Sequence, residues 1–293
     1  MKQYVMLWGC TVQTRLPSIE AATRKMLDVL GFSVRDLEGA SCCPEPYTSA
    51  LIGRELWYAL AARNISLAEA RKLELMTICN GCYDTLFEVN ETLKQDDSLR
   101  ERINSTLLKI GKEFKGSAEI RHIVEVLDED VGLDRIAASV KRPLSNLRVA
   151  LHPGCHLYRS KTVEDYDRKP KIFESLVRLT DVQLVNYGLE RMCCGYPQRQ
   201  ADEEMSLKTT LATKLQRIQE SQVDCLVVVC PGCCVQFEYG QIELRQRYNL
   251  DFGVPVLHLA ELIAVALGVP AGEIGLETHR SPVSKITARL EGR

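Results

Sequence analysis

The chain has 293 residues and a mass of 33.0 kDa, which suits one large domain or two of ordinary size. Hydrophobic residues make up 45% and charged residues 26%, values typical of globular proteins that argue against disorder or a collagen-like fold. The 37 basic residues nearly balance the 39 acidic ones, so the formal net charge of -2 argues against general electrostatic binding to nucleic acid.

The amino-terminal residues predict a buried strand that runs into a turn. They lack the apolar core and small-residue cleavage site of a signal peptide. No apolar run in the sequence approaches the ~20 residues that a membrane-spanning helix needs. We therefore expect a soluble cytoplasmic protein.

Apolar strand runs alternate with helical patterns in the first half of the chain. The predicted strands are 3–8, 32–37 and 73–78. The predicted helices are 17–30, 47–63, 67–73 (a continuation or a second helix) and 83–110. Pro17 near the start of the first helix and Gly31 at its end match the preferences of helix termini.

The second half of the chain repeats this alternation. Its predicted strands are 147–152, 181–186 and 224–229, and its predicted helices are about 168–179 and 201–221. Strands that alternate with helices predict an α/β fold with largely parallel sheets flanked by helices.

Cysteine is unusually frequent, at 12 of 293 residues, and ten of the cysteines form one pattern that occurs twice. The first copy has Cys10, 31 residues, Cys42-Cys43, 35 residues, then Cys79-Asn80-Gly81-Cys82. The second copy has Cys155, 37 residues, Cys193-Cys194, 35 residues, then Cys230-Pro231-Gly232-Cys233. The unchanged 35-residue interval indicates a common origin for the two copies.

The residues around the cysteines repeat as well, which indicates a duplicated domain. YVMLWGCTVQTR (4–15) matches VALHPGCHLYR (149–159), and LMTICNGCYDTLFE (75–88) matches LVVVCPGCCVQFE (226–238). A polar, proline-containing segment at 141–148 resembles a linker. We therefore predict two pseudo-symmetric domains, 1–142 and 147–293.

Four of the cysteines, Cys10, Cys79, Cys155 and Cys230, directly follow apolar strand runs. Sites in open α/β sheets collect at the carboxyl ends of strands. Backbone amides of turns and helix N-termini can stabilise thiolates there. We therefore expect three strand-end segments in each half to converge on one point.

The residue types alone are compatible with more than one role for the cysteines. Disulfides suit a reducing cytoplasm poorly. Zinc takes four tetrahedral ligands, which would leave one of the five cysteines over in each half. An iron–sulfur cluster can use neighbouring cysteines on different irons, and five ligands point to a cluster less regular than a cubane.

The repeated pattern resembles the cysteine-rich CCG-domain family, which includes the B subunit of heterodisulfide reductase. The resemblance covers about 290 residues and keeps all ten cysteines at family spacing. It implies two non-cubane [4Fe-4S] clusters, one per domain. The implied ligands of the first cluster are Cys10, Cys42, Cys43, Cys79 and Cys82, and those of the second are Cys155, Cys193, Cys194, Cys230 and Cys233.

The resemblance implies a catalytic oxidoreductase subunit of methanogenesis. It would reduce the mixed disulfide of coenzyme M and coenzyme B to two thiols by homolytic cleavage of the S–S bond. Its electrons would come from the iron–sulfur C subunit and the flavoprotein A subunit of heterodisulfide reductase, with a hydrogenase or formate dehydrogenase as a further partner. In a variant arrangement they would come from a membrane-bound cytochrome partner. Two alternatives are a sulfur-metabolism relative acting on another disulfide or persulfide, and a non-catalytic electron relay or zinc scaffold.

Several further residues are candidates for substrate contact or proton transfer. Arginines near the ligand cysteines would bind the anionic ends of the substrate, namely Arg15, Arg159, Arg191 and Arg199. His152 and His156 flank Cys155 and are candidate proton donors.

Two other pairs of residues have less specific interpretations. His122 and His258 each begin an HxxE motif, which could move protons but more often packs locally against a sheet. Cys225 and Cys234 are interpreted as structural.

Overall fold

Two four-stranded parallel sheets form the framework of the computed structural model, which describes residues 3–47, 51, 53–159, 162–163 and 165–291. In the first sheet the order is β2-β1-β3-β4, with β1 Tyr4–Leu7, β2 Val34–Asp36, β3 Glu74–Thr77 and β4 Ile120–His122. In the second the order is β6-β5-β7-β8, with β5 Arg148–His152, β6 Gln183–Leu184, β7 Cys225–Val228 and β8 Val256–His258. The predicted α/β fold with duplicated, parallel sheets is confirmed.

The central strands β1 and β7 are buried along their whole length. All four residues of β1 and all four of β7 are buried. Continuous burial is typical of parallel strands covered on both faces by helices. The register also repeats, since Val5 pairs with Leu75 in the first sheet and Ala150 pairs with Leu226 in the second.

Six of the eight strands match the predicted ones within a few residues. The other two, β4 and β8, were not predicted as strands. Each has only three residues and runs directly into a helix, at Ile123 and at Leu259. Such short apolar runs carry no periodicity that separates a strand from the helix that follows it.

The helices of the first half are α1 Cys10–Arg15, α2 Pro17–Val29, α3 Arg54–Arg71, α4 Asn80–Gln95, α5 Asp97–Leu107, α6 Ile123–Val126 and α7 Leu133–Ser139. Four of them, α2 to α5, lie where helices are predicted but differ in their bounds, whereas α1, α6 and α7 were not predicted. The predicted helices 47–63 and 67–73 form one helix from Arg54, and residues 48–50 and 52 lie outside the described residues. The predicted helix 83–110 is divided at Asp96, whose carboxylate accepts a hydrogen bond from the Leu99 amide at 2.9 Å and caps the second helix.

The helices of the second half are α8 Arg168–Arg178, α9 Ala212–Glu220, α10 Pro231–Tyr248, α11 Leu259–Ala266 and α12 Thr287–Leu290. A π-helical segment, Met205–Leu211, precedes α9 within the predicted helix 201–221. Short 3₁₀ segments include Cys155–Tyr158 and Pro197–Gln200, beside the second set of cysteines.

The chain forms two compact units. One contains the described residues of 1–10 and 32–123, and the other those of 11–31 and 124–291. Helix α2 therefore belongs to the second unit, where it packs against α11. The boundaries predicted from the duplicated sequence, 1–142 and 147–293, stay a prediction.

No helix within the described ranges is both long enough and apolar enough to span a bilayer.

Two cysteine sets as candidate metal centres

Four of the ten predicted ligand cysteines directly follow the carboxyl ends of central strands. β1 and β3 are adjacent in the first sheet, and β5 and β7 are adjacent in the second. In each sheet the strand order reverses direction between these two neighbours, and ligands bind at such switch points in open α/β sheets. Cys10 and Cys79 follow β1 and β3, and Cys155 and Cys230 follow β5 and β7.

The first cysteine set is a continuous series of thiol contacts. Cys42 contacts both Cys10 and Cys43. Cys43 also contacts Cys82, and Cys82 contacts Cys79. Cys10 and Cys42 are exposed, whereas Cys43 and Cys82 are buried, so this set has a solvent-facing end and a buried end.

The second cysteine set repeats the same series in the same order. Its Sγ–Sγ distances are 4.0 Å from Cys155 to Cys193 and 3.3 Å from Cys194 to Cys233. Cys193 contacts Cys194, and Cys233 contacts Cys230. The structure thus brings together the five cysteines predicted for each half. Their role as ligands stays a prediction.

Glycine permits the close approach of backbone and thiols in both sets. Gly9 has a φ of +80°, and a Cβ there would lie 3.1 Å from the Cys82 Sγ. Gly195, which follows Cys193-Cys194, has a φ of +90°, and its amide donates to the Cys193 Sγ at 3.4 Å. Other residues rarely adopt positive φ because their Cβ would clash with the backbone.

The CxxC segments begin long helices in both halves. Cys79 is the N-cap of α4 and Cys230 is the N-cap of α10, both in extended conformation. The amides of the first turn of such a helix point towards its N-terminus, where they favour negative charge. This position therefore helps to stabilise thiolates.

The electrostatics of the thiols concentrate negative charge on one sulfur of each set, Cys43 in the first and Cys193 in the second. Hydrogen bonds from Cys42 and Cys82 lower the pKa of Cys43 to about 6, and hydrogen bonds from Cys155 and Cys194 lower the pKa of Cys193 to about 2. Hydrogen bonding to their neighbours, with burial, raises the pKa of Cys82 and Cys155. Several adjacent thiolates would repel one another unless metal ions offset their charge. Five sulfur donors with adjacent cysteines fit an iron–sulfur cluster better than a four-coordinate zinc.

His152 lies directly beside the second set. It is 1% exposed at the end of β5, and one of its ring nitrogens and the Sγ atoms of Cys194 and Cys233 all lie within 4.8 Å of one another. Burial, and then the nearby Lys214, lower the pKa of His152 to about 3, so the ring is neutral. His156, the other candidate proton donor, is half-buried in the 3₁₀ turn after Cys155.

Lys214 is a residue of this site that sequence reasoning missed. Its side chain is buried, and the ammonium donates to the carbonyls of Leu189 and Met192, the latter at 2.6 Å, just before Cys193. It also lies 5.3 Å from the centre of the Tyr187 ring. Burial lowers the pKa of Lys214 to about 8, against the attraction of the nearby cysteines. The sequence did contain a signal for this residue. Lys214 lies on the same helix face as the apolar residues Leu211 and Ile218, where a cation is unexpected.

The four candidate substrate-binding arginines have different surroundings. Arg15 is exposed, with its guanidinium 5.7 Å from the centre of the Tyr239 ring. Arg159 is half-buried just beyond the 3₁₀ turn that contains Cys155. Arg199 forms ion pairs with Glu203 at 2.8 Å and Glu243 at 2.7 Å, and these satisfy much of its charge.

Arg191 is the candidate that lines a cleft. It pairs with Asp167 at 3.3 Å and lies over the Tyr158 ring. The cleft, of about 270 Å³, is also lined by Leu151 and Pro153, which flank His152 in the chain. Substrate binding by these arginines stays a prediction.

Cys225 and Cys234, and the HxxE motif that begins at His258, lie outside the series of thiol contacts. Cys225 is buried within β7, and Cys234 is buried on α10. His258 accepts a hydrogen bond from the Ala260 amide, while Glu261 accepts one from the His258 amide at 2.7 Å. This pair caps α11, in agreement with local packing.

Comparison with known proteins agrees with the geometry. The cysteine-rich domain family (CCG) matches residues 4–87 and 149–238, the two halves that carry the cysteine sets. The B subunit of the ferredoxin:CoB-CoM heterodisulfide reductase of Methanosarcina mazei is 39% identical over 286 residues, which cover 95% of this chain and 94% of that protein. The 8-methylmenaquinol:fumarate reductase membrane anchor subunit of Wolinella succinogenes is 30% identical, with 97% and 99% coverage.

A solved structure shows that the fold is shared more widely. A hypothetical protein from Helicobacter pylori superimposes with a TM-score of 0.76 at 18% identity, covering 95% of this chain. This chain spans about half of that chain, and at 18% identity the likeness concerns the fold alone.

Family, fold and paired cysteine sets together indicate an oxidoreductase subunit with metal-binding, iron–sulfur domains. The chain belongs to the cysteine-rich CCG-domain family and, within it, to the relatives of the heterodisulfide reductase B subunit.

Proposed function

We propose that this chain is the catalytic iron–sulfur subunit of a heterodisulfide reductase, which reduces the mixed disulfide of coenzyme M and coenzyme B to two thiols. The observation that carries this proposal is that both halves keep a complete series of five thiols. A subunit that only relayed electrons could work with one such site, whereas cleavage of a disulfide produces two sulfur products.

Each cysteine set would hold one non-cubane [4Fe-4S] cluster. When bound, the two clusters would supply one electron each, so that the S–S bond is split homolytically. The chain itself leaves one end of each set open to solvent, at Cys10 and Cys42 in the first set and, half-exposed, at Cys155 and Cys193 in the second. The substrate would approach from these ends, while the buried thiols anchor the clusters.

The arginines would orient the anionic substrate. Arg191 would exchange its exposed ion pair with Asp167 for a sulfonate, phosphate or carboxylate, because exposed ion pairs are weak. Arg15 is exposed and Arg159 is half-buried, and both would act in the same way. Arg199 would instead hold its two glutamates.

A proton must reach each sulfur that is released. His156 is half-buried and could donate directly, whereas buried, neutral His152 would offer only the N–H of its ring. We therefore favour His156 as the proton donor and His152 as a hydrogen-bond donor to the thiols.

The two electrons would arrive from partner proteins. We propose the iron–sulfur C subunit and the flavoprotein A subunit of a heterodisulfide reductase complex, joined by a hydrogenase or formate dehydrogenase. A membrane-bound cytochrome partner is the variant arrangement.

A second candidate is electron transfer to a different reductase. The relative from Wolinella succinogenes, named as a membrane anchor subunit of a fumarate reductase, matches 97% of this chain at 30% identity. In that case the chain would carry the clusters without cleaving a disulfide.

Metal analysis of the anaerobically purified protein comes first. Two clusters would give about eight irons and a similar amount of acid-labile sulfide per chain. About two zincs without iron would instead indicate a scaffold and would reject the catalytic proposal.

Turnover then separates the two iron–sulfur candidates. With a chemically reduced viologen as donor, the iron-loaded chain should reduce the heterodisulfide faster than the symmetric disulfide of either coenzyme. Equal rates with all three disulfides would contradict specificity for the heterodisulfide, and no turnover would favour electron transfer to another reductase.

Serine variants test the ligands against a matched control. Cys43→Ser should remove about half of the iron, because the first series loses its central thiol. Cys225→Ser also replaces a buried cysteine, but it lies outside the series and should keep the full iron content. Equal loss of iron in both variants would contradict the assignment.

A further inference from the structure

We propose that the second cysteine set holds its cluster at a higher reduction potential than the first, because Lys214, Tyr187 and His152 surround it with positive charge and hydrogen-bond donors. This inference rests on the proposed function in that it requires a cluster in each set. It assigns the three residues a positioning and tuning role and gives the two similar sites different tasks.

Lys214 places a buried positive charge at the second set. Its ammonium donates to the Leu189 and Met192 carbonyls and thereby holds the segment that leads into Cys193-Cys194. A buried charge acts with little screening, so its effect on nearby thiolates and irons is large.

The first set holds the equivalent segment through a neutral amide and a more exposed cation. There the buried Asn64 amide donates to the carbonyls of Ser41 and Cys42, both at 3.2 Å. The neighbouring cation, Arg63, also holds this segment, through the Gly39 carbonyl at 2.8 Å and the Ser41 hydroxyl at 3.5 Å, but it is only half-buried. The two sets therefore differ in the burial of their cation, and the charge of fully buried Lys214 is screened less than that of Arg63.

His152 and Tyr187 place further hydrogen-bond donors at the second set, and no described side chain accepts from them. Both side chains are at least nine-tenths buried, and the Tyr187 hydroxyl has no hydrogen-bond partner among the described residues. The His152 ring interacts with the Glu190 backbone but has no side-chain partner there. Burial, and then the charges of Glu190, Cys233 and Cys194, raise the pKa of Tyr187, so its hydroxyl stays protonated. Unpartnered buried donors are costly, and they would be satisfied by thiolate or sulfide sulfur.

Different residue types occupy the equivalent positions of the first set. Leu7 in β1 occupies the position that His152 has in β5. Leu7 pairs with Thr77, and His152 pairs with Val228. Both partners, Thr77 and Val228, lie two residues before the first cysteine of a CxxC segment. Asp36 lies six residues before Cys42, just as Tyr187 lies six residues before Cys193. The Asp36 carboxylate accepts a hydrogen bond from the Trp8 indole at 2.8 Å. An apolar and an acidic residue thus replace two donors.

The consequence is a direction for the electrons. Reduction makes a cluster more negative, so positive charge and hydrogen bonds to its sulfurs stabilise the reduced form and raise the potential. Electrons that reach the chain would collect at the second set.

A redox titration of the full iron-loaded chain, followed by EPR, tests this proposal. The unmodified chain should give two transitions. Lys214→Gln keeps a donor for the carbonyls but removes the charge, and it should lower the potential of the higher transition only. Tyr187→Phe and His152→Leu should lower the same transition by smaller amounts, and Tyr187→Phe serves as the second variant if Lys214→Gln fails to fold.

The matched control is Lys208→Gln, which removes an exposed lysine paired with Glu204 in the π-helical segment before α9. It should leave both transitions in place. The proposal is overturned if Lys214→Gln and Tyr187→Phe leave the higher transition unchanged, or if they lower both transitions equally. A chain that binds no iron would instead overturn the proposed function, so iron content separates the two failures.

Discussion

Single residues decide whether each cysteine set can assemble. The second set depends on the backbone at Gly195, which turns with a φ of +90° so that its amide reaches the Cys193 Sγ. A Cβ at this position would also lie 3.0 Å from the Ser206 hydroxyl, which itself donates to the Gly195 carbonyl at 2.8 Å. Conformation and space therefore both disfavour a side chain here.

We expect Gly195→Ala to destabilise the protein by about 2 kcal/mol, because the residue would be held in the left-handed region. Denaturant unfolding of the metal-free chain measures this cost, and iron content after reconstitution measures the effect on the site. Gly272→Ala is the control, since its Cβ would meet open space at ordinary φ. Similar losses of stability in the two variants would contradict the role of the backbone at Gly195.

At the scale of elements, a buried ionic network connects the helices of the second unit. His279 contacts Glu238 of α10 at 2.7 Å and Glu261 of α11 at 2.9 Å, and the Ser281 hydroxyl donates to Glu238 at 2.7 Å. Glu261 also receives a hydrogen bond from Ser18 of α2. The carboxyl-terminal segment is thus fixed to two helices, α10 and α11, and Glu261 in turn connects α11 to α2.

We expect His279→Gln to cost about 3 kcal/mol, because it leaves two buried carboxylates without their cation. Thermal or denaturant unfolding measures the loss. Glu273→Gln removes only the exposed ion pair with Lys25 and should cost less than about 1 kcal/mol. A small effect of His279→Gln would show that the network contributes little to stability.

The same network predicts how stability depends on pH. Burial alone would lower the pKa of His279, but Glu261 and Glu238 outweigh it and raise the pKa to about 10. A raised histidine pKa stabilises the folded state fully below the unfolded value of about 6.5, and this contribution is lost as the pH rises towards 10. The free energy of unfolding should therefore fall between these pH values in the metal-free chain, and His279→Gln should flatten this dependence.

At the scale of the whole molecule, helix α2 comes from the amino-terminal part of the chain but belongs to the second unit. Helix α2 follows the first predicted ligand cysteine in the sequence but packs against α11 in the second unit. Met26 is fully buried on this helix, among other buried residues that include Ile19 and Leu27. The second unit is therefore complete only with residues from the start of the chain.

We expect Met26→Ala to destabilise the second unit by about 3 kcal/mol through the cavity that it leaves. Hydrogen exchange should show faster exchange in α11 than in the unmodified chain, with little change in α4 of the first unit. Val29→Ala is the control, because Val29 is 41% exposed on the same helix. Equal loss of protection in α4 and α11 would contradict this assignment.

The sequence by itself determined the duplicated α/β fold and the grouping of the cysteines. Apolar strand runs and the 35-residue intervals are local patterns, and parallel strands bring their carboxyl ends together whatever the rest of the chain does. The cysteine that follows each central strand could therefore be placed from spacing alone.

Only the tertiary structure decided the short strands β4 and β8, the packing of α2, and the surroundings of individual charges. Arg199 and Lys214 resemble ordinary helix cations until the fold brings Glu243 to one and the Leu189 and Met192 carbonyls to the other. These outcomes depend on contacts between residues far apart in the chain. Local propensity and spacing carry no information about such contacts, because the free energy that decides them comes from burial and from the partners that burial supplies.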